Sequence, residues 1–125
     1  MRTSITIDAF AHASPIPTAS RIGNVIASGF IRGTDPTTGQ LAETLDAQCA
    51  LMFSHLRRCV ETGGARLDDI LKVTIWVKAL DRRPINAEWV KVFPDPKSRP
   101  ARQVVEMPME PGVLIQCDFL AVIQA

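Results

Sequence analysis

The sequence predicts an α+β domain in which two helices pack on one face of a mixed six-stranded sheet. Apolar residues recur every three or four positions in residues 45–62, which is the spacing of one helical face. Apolar and polar residues alternate in residues 73–78, which is the two-residue period of a strand. Strands and helices then follow one another without a linker, so residues 1–125 are expected to form a single domain around one core.

The ends of both helices are visible as capping residues. Thr44 is placed to cap the start of the first helix, and the pair Gly63-Gly64 is placed to end it. Asp81 is expected to cap a second, shorter helix that runs to about Phe93. The sequence therefore predicts one long helix and one short helix, separated by a strand.

Most of the strands lie near the two ends of the chain. The first fifteen residues are expected to supply an edge strand and a loop, and residues 22–32 a strand with a bulge at Gly29. Residues 102–107 and 113–123 are two further strands, joined by a turn rich in proline and glycine. Together with residues 73–78 they are five strands of the predicted sheet.

The last strand is apolar on both of its faces. One face carries Val113, Ile115, Cys117, Phe119, Ala121 and Ile123, and the other carries Leu114, Gln116, Asp118, Leu120 and Val122. Helices on one side leave the second face without cover, although it is too apolar to face water. The most economical cover is another copy of the chain, which predicts a closed homo-oligomer.

Three polar residues stand inside the two last strands. Gln116 and Asp118 are two residues apart and project to one side, whereas Arg102 shares its side with Val104 and Glu106. Because unpaired burial of such groups is costly, they must either pair with one another or line a wet cleft at a subunit boundary. An arginine binds a carboxylate through two parallel hydrogen bonds, and the carboxylate can belong to Asp118 or to a ligand. Both alternatives remain open at this point.

Composition and charge exclude several classes of protein. The net charge is +1 and the basic residues are scattered, so nucleic-acid binding is not expected. The sequence has no apolar run of signal-peptide or membrane-span length, so a cytoplasmic protein without membrane contact is expected. Cys49, Cys59 and Cys117 are interpreted as reduced core cysteines. A catalytic thiol is the alternative interpretation.

Metal and cofactor sites are not expected. No cluster of histidine, cysteine and carboxylate residues has the spacing of a metal site, and the glycines do not form a nucleotide-binding motif. His55 is interpreted as a structural or surface residue of the long helix, and His12 as a loop residue whose role stays open. Trp76 and Trp89 are expected in the core or at an interface.

Several motifs in order make the chain similar to the Rid family, also called YjgF. They are IGNVIASG, DPTTG, VETGGARLDDILKVTIWV and INAEWVKVF, followed by PAR, VVEM and PGVLIQCDFLA. The resemblance covers about residues 15 to 121. It implies a Rid and chorismate-mutase-like fold that forms a homotrimer with a central barrel and a cleft between each pair of subunits.

The resemblance also implies roles for individual residues in hydrolysis of reactive enamines and imines. Arg102 would clamp the carboxylate of a small metabolite, and Ser28 would line the pocket. The position of Gln116 holds a glutamate in the family, which handles the attacking water, and Asp118 matches a second acidic position. A tyrosine is usual at the position of Ile16, and a cysteine is frequent at that of Val104.

These departures leave three hypotheses. The first is a cofactor-free deaminase in which Gln116 orients the water and Asp118 accepts its proton, because an amide cannot take a proton at any accessible pH. The second is a non-catalytic trimeric module that binds a carboxylate metabolite or a protein partner. The third is the ribonuclease activity attached by name to some family members, which the absence of a basic groove makes the weakest.

Overall fold

The computed structural model describes residues 1–7 and 14–125. Its elements in chain order are β1 Thr3–Ile5, β2 Ala19–Ile22, β3 Val25–Ser28, β4 Ile31–Arg32, α1 Leu45–Thr62, β5 Ile70–Val77, α2 Arg82–Val92, β6 Ala101–Glu106 and β7 Ile115–Val122. A short 3-10 helix, Leu67–Asp69, leads into β5. The predicted α+β class with two helices is confirmed.

The seven strands of the described residues belong to one mixed sheet. Its order is β1-β2-β3-β7-β5-β6, and β4 pairs with β7 beside β3. Strands β5 and β6 are parallel, and the other pairs are antiparallel. The last strand of the chain therefore lies inside the sheet, whereas β6, which carries Arg102, is an edge strand.

The predicted count of six strands is wrong because residues 22–32 do not form one strand. Gly23 adopts a positive φ of 57° and closes the turn between β2 and β3. The registers of β3 and β4 against β7 differ by one residue, so the chain carries one extra residue between the two strands. The bulge predicted at Gly29 is confirmed, and it separates β3 from β4.

Helix α1 begins and ends where the sequence predicts. The Thr44 hydroxyl accepts a hydrogen bond from the backbone nitrogen of Ala47 at 3.2 Å, and Gly64 takes a φ of 90° after the last turn. The buried residues of α1 are Gln48, Cys49, Met52, Phe53, His55, Leu56, Cys59 and Val60. They form the stripe that packs on the sheet.

Helix α2 is shorter and packs beside α1. The Asp81 carboxylate accepts from the backbone nitrogen of Arg83 at 3.0 Å, which confirms the predicted cap. The rings of Phe53 and Trp89 meet edge to face with their centroids 6.3 Å apart. This contact joins the two helices on the same side of the sheet.

A close approach between α1 and the chain after β4 fixes the depth of the helix on the sheet. A side chain at Gly33 would lie 2.3 Å from the Cα atom of Gln48, so only glycine fits. Gln48 is fully buried, and its amide donates to the carbonyls of Ala42 and Gly112 and accepts from the nitrogen of Leu114. One buried side chain thus connects α1 to the turn that precedes β7.

The two faces of the sheet differ in cover. On the face under the helices, Ile115, Cys117, Phe119 and Ala121 of β7 are buried. We call the opposite face, which carries Gln116 and Asp118 of β7 and their cross-strand neighbours, the open face. The alternation predicted for the last strand is therefore confirmed.

The open face exposes apolar side chains at its β2–β3 end. Val25 and Val122 are cross-strand neighbours and are 45% and 39% exposed, and Ile22, opposite Val25, is also exposed. Such a cluster is typical of a surface that a partner covers. Within residues 1–7 and 14–125, neither helix is long and apolar enough to cross a membrane.

Candidate functional site

The polar pair of β7 lies among side chains of β5 on the open face. Gln116 is opposite Trp76, and Asp118 is opposite Thr74. Cross-strand neighbours of an antiparallel pair project to the same side of the sheet. The four side chains therefore form one cluster, as the spacing of Gln116 and Asp118 predicts for those two residues.

Asp118 is held by a tryptophan. The Trp76 indole nitrogen donates to Oδ2 of Asp118 at 2.8 Å, and the Phe30 ring meets the Trp76 ring edge to face at 5.9 Å between centroids. Oδ1 of Asp118 has no hydrogen bond to any part of the chain that the structure describes. One carboxylate oxygen thus remains available to a water or a ligand.

Gln116 is held by an arginine. Only 4% of its surface is exposed, and its Oε1 accepts from Nε of Arg32 at 3.1 Å. Nη1 of Arg32 in turn donates to a carboxylate oxygen of Glu110 at 3.0 Å. Because Arg32 and Gln116 are also paired in the sheet, backbone and side chain hold them together.

Arg102 lies on the helix-covered face. It is the parallel neighbour of Val73, a core residue, and its guanidinium stands over the Trp89 ring at 5.0 Å from the centroid. Partial burial lowers the pKa of Arg102, and the positive charge of Arg82 lowers it further. No carboxylate forms an ion pair with Arg102 within the described ranges.

One chain does not bring all the predicted residues together. Arg102 and Val104 lie on the helix-covered face of β6, whereas Gln116 and Asp118 lie on the open face of β7. Strand β5 separates the two strands in the sheet. A cleft that Arg102 and the polar pair share within one chain, through a direct salt bridge to Asp118, is therefore not observed.

The two remaining predicted residues lie near the beginning of the sheet. Ser28 is at the bulge, where its hydroxyl accepts from the backbone nitrogen of Phe119 at 2.9 Å. The serine thus replaces a backbone hydrogen bond that the extra residue removes. Ile16 lies in the loop before β2 and is 60% exposed. Within the described residues, no hydrogen bond joins Ser28 to the side chains of the open-face cluster.

The cysteines have the properties of core residues. All three are free and buried, and burial raises the pKa of Cys49 and of Cys59 to about 12. Burial also raises the pKa of Cys117 well above its ordinary value. A thiol with a raised pKa is a poor nucleophile at neutral pH, which disfavours the catalytic-thiol alternative.

The histidines and the acidic residues make no metal site in the part of the chain that is described. His55 is buried, and its Nε2 donates to the carbonyl of Thr34 at 2.6 Å, which supports the structural interpretation. His12 falls outside the described residues. Within residues 1–7 and 14–125, no group of three or more histidine, cysteine or carboxylate side chains could hold a metal ion.

A groove of about 360 Å³ lies between β1 and the end of α1, away from the predicted site residues. Arg21 lines it, and its guanidinium donates to the carbonyls of Gly23 and Gly63. These contacts place a cation at the C-terminus of α1, where it is favoured by the helix dipole. Arg21 therefore has a structural role.

Sequence reasoning missed the residues that hold the polar pair. The sequence predicts Arg32 only as the end of a long strand, and Trp76 only as a core or interface residue. A polar residue at the end of an apolar strand is the one signal that Arg32 gives. Its contact with Gln116 joins residues 84 positions apart and depends on the register of β4 against β7.

Known proteins share both the sequence and the fold. Residues 6–123 match the family described as Endoribonuclease L-PSP. The 2-iminobutanoate/2-iminopropanoate deaminase of Salmonella typhimurium is 34% identical over 125 residues and matches 97% of each chain. The protein of the same name from Escherichia coli K12 is 30% identical, also over 97% of each chain.

Solved structures agree in fold. The Escherichia coli YjgF structure is 27% identical, with a TM-score of 0.87 over 98% of this chain and 99% of that one. RidA from a Psychrobacter species is 24% identical, with a TM-score of 0.88 over 97% and 99% of the two chains, and shows likeness of fold alone. The architecture is thus the same as in these proteins. The roles of the site residues rest on the contacts of this chain.

Proposed function

We propose, from the premise that the chain belongs to the Rid (YjgF) family, that it is a cofactor-free hydrolytic deaminase of small enamine and imine carboxylic acids. Water adds to the carbon of the C=N bond, the C–N bond of the adduct breaks, and ammonia and a keto acid leave. The deaminase names of two relatives that match 97% of this chain support this reaction class.

The state of Arg102 is the observation that carries the proposal. Its guanidinium carbon lies over the Trp89 ring, 5.0 Å from the centroid, and it has no anionic partner in the described part of the chain. A planar cation held in this way presents its edge N–H groups to a carboxylate. Of the two alternatives left open by the sequence, the ligand carboxylate is thus favoured over an internal salt bridge.

The site is proposed to lie between two chains of a homotrimer. Arg102 on edge strand β6 and the polar pair on the open face of β7 are on opposite sides of one sheet. One chain can supply Arg102, and its neighbour can supply Gln116 and Asp118. The exposed apolar cluster of Ile22, Val25 and Val122 gives a reason for the open face to be covered by another copy.

Within this cleft, Asp118 is the proposed proton acceptor. It keeps one carboxylate oxygen free while Trp76 holds the other. Gln116 is an amide and can form hydrogen bonds but cannot accept the proton of the attacking water. Ser28, Ile16 and the backbone of Val104 are proposed to shape the pocket.

A second candidate is a non-catalytic trimeric module that binds carboxylate metabolites or a protein partner. The amide of Gln116, which hydrogen-bonds to Arg32, favours it because a carboxylate is absent from the water-handling position. If the protein is an enzyme, the same substitution favours a substrate larger than the short imino acids, such as an aminomuconate. The net charge of +1 gives no support to a ribonuclease.

Hydrolysis of 2-iminobutanoate, generated in situ, tests the proposal. Wild type is expected to release ammonia faster than buffer, and Arg102→Ala is expected to lose roughly 100-fold or more in kcat/KM because the carboxylate loses a charged bidentate partner. Arg57→Ala is the control, since in the described residues Arg57 pairs with Glu61 on the surface of α1. Full activity of Arg102→Ala would reject the clamp.

Thermal shift with 2-ketobutanoate separates the two candidates. If no variant exceeds buffer, yet the keto acid raises the melting temperature of wild type and not of Arg102→Ala, the binding module is correct. If the keto acid leaves the melting temperature of wild type unchanged and no hydrolysis occurs, a deaminase of short imino acids and a module that binds short keto acids are both rejected. Predictions of a cytoplasmic location and of no nucleic-acid or membrane partner stay predictions.

A further inference from the structure

The contact between Arg32 and Gln116 fixes which end of the amide faces the guanidinium. Every polar hydrogen of an arginine side chain is a donor, and the side chain has no acceptor. The group of Gln116 that lies 3.1 Å from Nε of Arg32 must therefore be the carbonyl oxygen Oε1. The chemistry of the pair decides the orientation of the amide.

Three further features keep Arg32 and Gln116 in place. Arg32 and Gln116 are partners in the β4–β7 ladder, so their Cα atoms are held by the sheet. Nη1 of Arg32 donates to the Glu110 carboxylate at 3.0 Å, which fixes the far end of the guanidinium. Gln116 itself is almost fully buried and has little freedom to rotate. The amide orientation is therefore a property of the fold.

The opposite end of the amide is free. Nε2 of Gln116 makes no hydrogen bond within the described ranges, and in those ranges no buried side-chain nitrogen or oxygen lacks a partner. Nε2 is therefore not completely buried, and its N–H groups are available as donors. Asp118 follows two residues along the same face, about 7 Å further on between Cα positions, and its Oδ1 presents an acceptor.

We propose that Arg32 is a positioning residue of the open-face site, which turns the Gln116 amide so that its Nε2 donor meets an oxygen acceptor of the ligand. This inference rests on the deaminase proposal and assigns separate roles to Gln116 and Asp118. A donor hydrogen bond to water engages the lone pair that must attack carbon, so Gln116 is poorly suited to activate water. Asp118 takes the water, and Gln116 takes a substrate oxygen, either a carboxylate oxygen or another carbonyl.

Arg32 should also set the basicity of a carboxylate at position 116. In Gln116→Glu the new carboxylate would lie beside the Arg32 guanidinium and form an ion pair, which favours its charged form. Such a carboxylate is a weak base. Restoring a glutamate at this position should therefore not raise activity while Arg32 is present, whereas Gln116→Glu combined with Arg32→Ala should supply a stronger base.

A titration independent of activity tests the contact. The ¹³C signals of the side-chain carboxyl groups are followed against pH in Gln116→Glu and in Gln116→Glu/Arg32→Ala. The carboxyl of residue 116 is expected to bind its proton roughly tenfold or more weakly when Arg32 is present. Equal proton affinity in the two proteins would overturn the positioning role, whether or not the protein hydrolyses imines.

Steady-state kinetics tests the consequence for the substrate. Arg32→Ala frees the amide to turn, and KM for the 2-imino acid is expected to rise roughly three- to tenfold, the value of one hydrogen bond, with kcat nearly unchanged. Arg32→Lys keeps a donor and is expected to recover part of the loss. Arg57→Ala, which removes a surface arginine of α1, is the matched control.

The outcomes separate the two proposals. If wild type does not hydrolyse imines, the same comparison of Arg32→Ala with wild type is made on the dissociation constant of 2-ketobutanoate, and a three- to tenfold weaker binding supports the role of Arg32. An unchanged KM or dissociation constant in Arg32→Ala, with melting temperature preserved, would overturn it. Inactivity of wild type with a normal titration result rejects the deaminase and leaves the positioning role standing.

Discussion

The two faces of strand β7 differ in how their side chains are held. On the helix-covered face, the side chains of Cys117 and Phe119 are buried among apolar side chains. On the open face, Gln116 and Asp118 each have one polar atom bonded to a neighbouring strand and one left free. A strand with a period of two carries both patterns without conflict, because adjacent residues point to opposite sides.

The helix-covered face of the sheet stabilises the chain, and the open face orders polar side chains for a site. Packing on the helix-covered face contributes most of the free energy of folding, since burial of apolar area is the main favourable term. On the open face, Arg32 and Trp76 restrict the rotation of Gln116 and Asp118, and this ordering is complete before any ligand binds. Substitutions on the two faces should therefore affect different measurements.

The largest effect on stability is expected from the helix-covered face. Phe53 of α1 is 2% exposed and contacts Trp89, so Phe53→Ala removes buried ring area and leaves a cavity. The free energy of unfolding is expected to fall by about 3–5 kcal/mol in a urea titration. Val90→Ala on the exposed side of α2 should cost far less, and equal losses would contradict this account of the core.

A charge in the apolar cluster of the open face should break assembly and spare the fold. Val122 is 39% exposed in one chain, so Val122→Arg has room on a free subunit. If another copy covers this cluster, the arginine would be buried without a partner at a cost of several kcal/mol. Size-exclusion chromatography with light scattering should give a trimer for wild type and a monomer for Val122→Arg, with little change in monomer melting. Wild type at the mass of one chain would reject the trimer.

The carboxylate of Asp69, at the end of the sheet, lies on neither face. It should make the stability of the protein depend on pH. Burial acts to raise the pKa of Asp69, but hydrogen bonds from the backbone of Arg66 and from Gln124 outweigh it and hold the pKa below its ordinary value. Stability from this group is present above the unfolded pKa of about 4 and is lost as pH falls through the lower folded pKa.

Asp69→Asn is therefore expected to melt at a lower temperature than wild type at neutral pH, by an amount equivalent to about 1–2 kcal/mol. Melting curves across the acid range check the sign of the linkage. The gap between the two proteins should close once the pH falls below the folded pKa of Asp69. A gap that stays constant would mean that the carboxylate charge is not what stabilises this corner.

The smallest effect on stability is expected at the tryptophan of the open face. Trp76→Phe keeps an aromatic ring beside Phe30, but it removes the indole N–H that bonds Asp118 together with part of the ring area. The loss in the free energy of unfolding should be about 1 kcal/mol. The effect on imine hydrolysis should be larger than this loss predicts, because Asp118 is no longer held. An unchanged rate would show that the position of Asp118 does not matter to the reaction.

Local patterns were enough to predict the elements of the fold. Helix α1 follows from the periodicity of residues 45–62 and from its cap at Thr44, and both are set by neighbouring residues. The turn within residues 22–32 was missed, although Gly23 and Asn24 between two apolar segments are a local hairpin signal. The separation of β3 from β4 depends on their registers against β7, which differ by one residue.

The sequence was enough to predict which residues of one strand share a face, but not how the two strands place these residues relative to each other. A period of two places Gln116 with Asp118 and Arg102 with Val104, yet it does not say whether the two pairs share a side. That depends on the parallel register of β6 and the antiparallel register of β7 against β5. The contact of Arg32 with Gln116 depends likewise on long-range pairing, which no single segment encodes.

The central claim is that one cleft combines Arg102 of one chain with the polar pair of its neighbour. It is tested most directly by mixing two variants that are each inactive, Arg102→Ala and Asp118→Ala, and by refolding or co-expressing them as mixed trimers. Shared clefts predict recovery of roughly a quarter of the wild-type imine hydrolysis in an equal mixture, since about one cleft in four then has both intact residues. Mixed trimers with no recovered activity, confirmed by mass, would contradict the claim.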